Sequence, residues 1–323
     1  MLKVFIRCDS SKSLGFGHLM RCLAIAKNMR ELYSVTFVTN IESEELIKKE
    51  GFCSLLISEK EEEEVLHIAT NNANSIWIID SKKNYSENFF SSLKLKARML
   101  LLIENVSQFS GIADAILFPC AHLDEKLTKP VLEKYPKVEI LSGWEWVLIR
   151  DEIRSGLNKK IKKESLVVTT GGSDPEGVFL VLFELFKKIK FKATFLVGEN
   201  FSNKFQIPKS TKNINVLPYD HNEIHKANYV ISTFGVSIYE SIFLSKPTFS
   251  VAHSNENAQG SKILSSLTNL CIDVGFYKEI NQETLKNTLL TKIDFFRANE
   301  MSKPKAFDGL GSERLVKWIN SKL

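Results

Sequence analysis

Near the start of each half of this chain a short apolar run gives way to a glycine-bearing polar turn and then to a helical stretch. That repeat limits the fold more than any other feature. The first copy is KVFIRCDSSKSLGFGHLMR, Lys3 to Arg21. Val4, Phe5 and Ile6 read as a buried strand, the Ser- and Gly-rich stretch as a turn, and the residues from about His18 as a helix. The second copy has a strand from Ser165 to Thr170, a turn at Gly171 and Gly172, and a helix from Gly177 to Ile189.

Around these copies strand and helix signals alternate. Strands are predicted at Ser34 to Thr39, Cys53 to Ile57, Ser75 to Ile79, Arg98 to Ile103, Lys192 to Val197, Ile214 to Leu217, Tyr229 to Ser232 and Thr248 to Val251. Helices are predicted at His18 to Leu32, Ser43 to Glu50, Lys60 to Ile68, Glu87 to Leu95 and Val236 to Leu244. Glu61 to Glu64 read as a solvated helix face. Pro119, Pro130 and Pro136 mark a stretch of irregular chain, and the lysine-rich Asn158 to Glu164 reads as a linker. Alternation of this kind predicts an α/β fold with parallel sheets covered on both faces. Its restart halfway predicts two Rossmann-like domains facing across a cleft, over residues 1–155 and 156–307. Ligands are expected outside the carboxyl ends of the strands.

The 323-residue length agrees with two domains of roughly 150 residues each. Lys and Arg number 43 against 38 Asp and Glu, a net +5 with no dense basic block, so nucleic acid is not an expected partner. The five cysteines (Cys8, Cys22, Cys53, Cys120, Cys271) are widely spaced and form no C-x-x-C. They point to neither a disulfide frame nor a metal site, and a cytoplasmic setting fits them. No apolar stretch is long enough to insert in a membrane, and the first residues lack the pattern of a signal peptide.

The first glycine loop holds one imidazole, His18, the side chain best suited to exchange a proton near neutral pH. Gly15 and Gly17 leave room for a ligand against the backbone. A dinucleotide fingerprint would need a third glycine where Met20 stands. Asp9 either orients His18 or caps the turn. In the second half, Gly171-Gly172-Ser173-Asp174 and Ser232-Thr233-Phe234-Gly235-Val236-Ser237 each follow a strand. The second of these opens a helix whose free N–H groups suit a diphosphate. Glu240, a turn later, either accepts from a ribose diol or is a plain solvated glutamate. Asn257 and Gln259 lie in an amide-rich stretch, His253 to Gly260, that reads as a third loop able to rim a sugar or phosphate.

Several of these segments together resemble one family. They are Arg7-x-Asp9, Gly15-Phe16-Gly17-His18 with Arg21, Leu148-Ile149-Arg150 before Glu152, and Gly171 to Asp174. Ser232 to Glu240, Asn257-x-Gln259, and Asp308-Gly309-x-Gly311 with Arg314 complete the set. In this order, and over nearly the whole chain, they resemble the UDP-sugar hydrolases of the pseudaminic acid pathway and the related spore coat polysaccharide proteins. The resemblance implies a glycosyltransferase-B type fold whose last helix, over residues 308–323, returns to the first domain. It implies hydrolysis, without metal or other cofactor, of a UDP-linked 2,4-diacetamido-2,4,6-trideoxy hexose, with inversion at the anomeric carbon. His18 would be the base. Gly15, Gly17, Arg21, Asp80, Gly171, Gly172, Ser173, Asp174, Ser232, Thr233, Gly235, Val236, Ser237, Glu240, Asn257 and Gln259 would meet the substrate. UDP and the sugar are the implied partners, and other enzymes of the same sugar pathway are admitted. The close pathway enzymes tend to show Asp-His-Tyr where this chain has Asp80-Ser81-Lys82, so the sugar itself stays open. A glycosyltransferase of the same fold, or a non-catalytic UDP-sugar-binding protein, also accommodates these motifs.

Overall fold

The computed structural model describes residues 1–8, 10, 17–155, 165–201 and 207–323. Asp9, Gly15 and the linker expected over 158–164 lie outside them. The chain divides into two compact units, Met1–Ile149 with Asp308–Leu323, and Arg150–Phe307. The second unit thus begins ahead of the boundary expected after residue 155.

In chain order the first unit contains β1 (Leu2–Cys8), α1 (Gly17–Met29), β2 (Tyr33–Thr39), α2 (Ile41–Lys49), β3 (Cys53–Leu56), α3 (Glu61–Asn71) and β4 (Ile76–Asp80). It continues with α4 (Glu87–Lys96), β5 (Met99–Ile103), β6 (Ala115–Phe118), α5 (Glu125–Lys134) and β7 (Glu139–Ser142). The strands form one parallel sheet in the order β3-β2-β1-β4-β5-β6-β7. Its central strands are almost wholly apolar because helices cover both faces: IWIID of β4, which ends on Asp80, and MLLLI of β5 are buried at every position. Strand order reverses between β1 and β4. There Cys8 and Asp80 are register partners at the carboxyl ends, the place where such sheets leave a crevice.

The second unit repeats the plan with α6 (Asp151–Arg154), β8 (Leu166–Thr169), α7 (Val178–Ile189), β9 (Ala193–Val197), β10 (Ile214–Pro218) and α8 (His221–Lys226). Then come β11 (Tyr229–Thr233), α9 (Val236–Phe243), β12 (Thr248–Ala252), α10 (Asn255–Leu267), β13 (Cys271–Phe276) and α11 (Gln282–Ala298). Its parallel order is β10-β9-β8-β11-β12-β13, so the reversal falls between β8 and β11. Aromatic packing dominates this core. Phe195 of β9 meets the rings of Phe179, Phe183 and Phe186 on α7 edge-on, with centroids 5.3–5.6 Å apart. The last helix, α12 (Gly311–Lys322), buries Leu315, Val316 and Ile319 in the core of the first unit.

Three expectations change. The stretch from Pro119 to Pro136 is not irregular throughout, because it contains α5. Asp124 caps that helix by accepting from the Lys126 N–H, and Val131 anchors it although Pro130 removes one internal hydrogen bond. Three strands were not expected: β6 (AILF) is apolar and buried but only four residues long, β7 is as short and begins with Glu139, and β13 is half-buried. Third, Glu61 does not face solvent. Its carboxylate is buried and accepts from Arg7 Nε at 2.5 Å, from Tyr85 Oη and from Lys83 Nζ. This ties the end of β1 to the start of α3 and to the loop after β4.

Burial pushes the Glu61 carboxyl up, but hydrogen bonds from Arg7, Lys83 and Tyr85 and the charge of Arg7 outweigh it and bring the pKa down to about 2. A carboxyl with a depressed folded-state pKa adds stability above its unfolded value that is lost as pH falls through the folded one. Glu61→Ala, which takes the shared buried carboxylate from Arg7, Lys83 and Tyr85, is expected to cost about 1–3 kcal/mol at pH 7. The difference from wild type should shrink between pH 4.5 and 2 in urea unfolding.

Candidate active site

The first unit gathers four ionisable groups at its strand reversal. His18 and Arg21 lie on the first turn of α1, Asp80 ends β4, and Glu104 follows β5. His18 Nδ1 is 2.6 Å from Asp80 Oδ1. Arg21 grips the same carboxylate in bidentate fashion, Nε to Oδ2 at 2.5 Å and Nη2 to Oδ1 at 2.6 Å. The other arm of the guanidinium, Nη1, reaches Glu104 Oε2 at 2.7 Å. The Cys22 thiol donates to Asp80 Oδ2 at 3.4 Å.

Asp80 has no solvent exposure, yet it remains ionised. Burial pushes its carboxyl up, but the charge and hydrogen bonds of Arg21, with those of His18, hold it well below the usual carboxylate range. Glu104 is also held low: burial raises it, and the charge of Arg21 more than reverses this. Burial opposes the charge on Arg21, while Asp80 and Glu104 raise its pKa well above the ordinary value. His18 Nδ1 also lies 3.0 Å from Arg21 Nη2; with Asp80 ionised, the tautomer that satisfies the carboxylate carries the hydrogen on Nδ1 and leaves the Nε2 lone pair free. The imidazole is 18% exposed, enough to meet a small reactant. The partner that the structure puts on His18 is Asp80, which the sequence had suggested only as a substrate contact. Asp9, the local candidate, lies outside the described residues.

In the second unit the two glycine turns sit at the carboxyl ends of β8 and β11, flanking the reversal. Gly171 has φ +85°, a left-handed conformation that glycine adopts without penalty. A Cβ on Gly171, Gly172 or Gly235 would meet no atom within 4 Å, so open space lies before all three. Gly198, which the sequence reading missed, braces the turn from behind. A Cβ there would stand 2.4 Å from the Gly172 carbonyl oxygen. Helix α9 starts at Val236 behind an exposed Gly235, and no side chain caps its leading N–H groups.

Other expected contacts are committed to the protein itself. Asp174 is buried and caps α7, accepting from the Val178 N–H at 3.0 Å and the Phe179 N–H at 3.1 Å. The buried Ser232 hydroxyl donates to the Thr233 carbonyl, and Thr233 and Ser173 are also buried. Glu240 is not a solvated glutamate: it is buried and pairs with Arg150 through Nε–Oε1 at 2.6 Å and Nη2–Oε2 at 2.8 Å. A diol reaching Glu240 would therefore compete with a guanidinium. Arg150 is held strongly protonated, since Glu240 and Tyr219 overcome the effect of its burial. The stretch from His253 to Gly260 is not a loop. Ser254 caps α10 by accepting from the Asn257 N–H, which places Asn257 and Gln259 in its opening turns. Asn257 Oδ1 is shielded from solvent with no hydrogen-bond partner among the described residues.

No model of a known protein family matches the chain. Among solved structures it is similar to MurG of Acinetobacter baumannii, with TM-score 0.64, 13% identity, and coverage of 99% of this chain and all of that one. It is equally similar to the UDP-GlcNAc 2-epimerase of Neisseria meningitidis bound to UDP-GlcNAc, with TM-score 0.64, 11% identity and coverage of 99% and 100%. The fold is of the glycosyltransferase-B type. UGT89C1 of Arabidopsis thaliana, complexed with UDP, shares it at TM-score 0.63, 11% identity and coverage of 99% and 100%. In sequence the chain is 24% identical over 283 residues to an uncharacterized protein of Methanocaldococcus jannaschii. The match covers 79% of this chain and 56% of that protein, so the chain spans little more than half of its relative.

Asp174 offers a pH test of this geometry. Burial pushes its carboxyl up to about 6 despite hydrogen bonds from the Phe179 and Val178 N–H groups. Because the folded-state pKa is raised, the stabilisation is complete below the unfolded value of roughly 3.9 and is lost as pH rises through the folded one. Urea unfolding from pH 4 to 8 should show wild type losing stability relative to Asp174→Asn from roughly pH 3.9 up to about 6, with no further loss above.

Proposed function

We propose that this chain hydrolyses a UDP-linked amino sugar of the 2,4-diacetamido-2,4,6-trideoxy hexose class, releasing UDP and free sugar for nonulosonic acid synthesis. The observation that carries the reading is the His18–Asp80 pair, an imidazole with one nitrogen fixed on a buried carboxylate and the other open. The open space at Gly171, Gly172 and Gly235 before the uncapped start of α9 supports a nucleotide on the second unit. Two proteins of the same fold support the choice of UDP, since one is bound to UDP-GlcNAc and the other to UDP.

Hydrolysis asks for two things. UDP already leaves well, so the developing negative charge needs fixed dipoles, which helix N–H groups provide. One water must be held and deprotonated as it attacks the anomeric carbon. His18 Nε2 takes that proton, and the Nδ1–H bond to Asp80 stabilises the imidazolium that results. Arg21 contributes by keeping Asp80 ionised. Its guanidinium is shared between two carboxylates, so it acts through Asp80 and not on phosphate. A glycosyltransferase would present an acceptor hydroxyl where the hydrolase presents water. The glycotransferase of kitacinnamycin, a structure of the same fold, supports that second reading.

Incubation with UDP-2,4-diacetamido-2,4,6-trideoxy-L-altrose in EDTA, followed by NMR, tests the proposal. Wild type should release UDP and free sugar without an added acceptor. His18→Ala and Asp80→Asn should lower kcat by about 10²–10⁴-fold, with UDP affinity unchanged by calorimetry. Release that depends on an acceptor would favour the transferase. Undiminished turnover in His18→Ala would remove the base from the account.

A further inference from the structure

Glu104 is the member of the first-unit cluster that neither the motifs nor the hydrolytic step uses. Its backbone has φ +50°, a left-handed conformation uncommon for a side-chain-bearing residue, and its N–H donates to the Leu117 carbonyl at 2.9 Å. This geometry turns the carboxylate toward α1, where Oε2 meets Arg21 Nη1. The other oxygen, Oε1, has no hydrogen-bond partner among the described residues. The side chain is 28% exposed, whereas Asp80 is wholly enclosed and Arg21 is 8% exposed. One oxygen is thus anchored on Arg21, and the partly exposed side chain belongs to the same cluster of charges as His18.

We propose that Glu104 is a specificity residue whose open carboxylate oxygen accepts a hydrogen bond from a hydroxyl or acetamido N–H of the sugar. The inference rests on the hydrolase reading for the identity of the sugar. An ionised carboxylate repels the diphosphate and accepts from a neutral donor, so Glu104 selects the sugar end of the substrate and leaves nucleotide affinity alone. An acceptor fixed by Arg21 also discriminates against analogues that lack the donor, because they forgo its hydrogen bond.

Calorimetric titration with UDP and with UDP-2,4-diacetamido-2,4,6-trideoxy-L-altrose tests this. The protein carries His18→Ala so that the sugar nucleotide survives, alone and combined with Glu104→Gln or Glu104→Ala. In the Glu104→Gln protein the amide oxygen stays on Arg21, which repels the NH2 group, and a donor then faces the sugar in place of an acceptor. Both Glu104 variants are expected to lose about tenfold in affinity for the sugar nucleotide, while UDP affinity changes less than about twofold. Three results would overturn the proposal: equal affinity for UDP and the sugar nucleotide in the parent, sugar-nucleotide affinity unchanged in both variants, or UDP affinity falling in step with it. UDP release by the wild type is read separately. Its absence would remove the hydrolase reading while the binding data still decide the role of Glu104.

Discussion

A carboxylate with no access to water anchors the candidate chemistry of this protein. Asp80 is surrounded by the guanidinium of Arg21, the imidazole of His18 and the thiol of Cys22. An unpaired charge at that depth would cost several kcal/mol, and the bidentate arginine is what makes it tolerable. The pair fixes the ring of His18, and with it the direction of its second nitrogen. Arg21 in turn needs Glu104, since a lone Asp80 occupies only part of its fork. Four groups from three chain segments therefore depend on one another.

Strand order explains why those segments meet. In each unit the chain builds outward from a first strand, returns, and builds the other way, so the turns after the first and fourth strands end side by side. In the first unit those ends carry His18 and Asp80. In the second they carry the Gly171-Gly172 turn and the start of α9. Similar scaffolding thus places an imidazole–carboxylate pair in one unit and a glycine turn beside an uncapped helix start in the other. The network of Arg7, Glu61, Lys83 and Tyr85 steadies the loop that follows Asp80, which extends the same dependence to α3.

Much of the fold was legible because its signals are local. Runs such as SIWII and SLVVTT can only be buried strands, and a glycine turn after the second marks the carboxyl edge. The misreadings have physical causes too. A serine cap turned an amide-rich stretch, read as a loop, into the start of α10. A run of four glutamates read as solvated because nothing in sequence shows that Arg7, Lys83 and Tyr85 converge on the first of them. For the site, His18 was legible from its loop, but its partner was sought just past the first strand, at Asp9. The carboxylate on its ring comes from Asp80, 62 residues away, brought there by the β1–β4 pairing. Glu104 carries no motif, and its place follows from the sheet alone.

The most direct test of the account is to run the reaction with UDP-2,4-diacetamido-2,4,6-trideoxy-L-altrose in water enriched in ¹⁸O, with no acceptor, and weigh both products. Attack by a water deprotonated at His18 on the anomeric carbon predicts one ¹⁸O in the free sugar and none in UDP. Label in UDP would mean cleavage at phosphorus, and with it that the His18–Asp80 pair does not perform the step assigned to it.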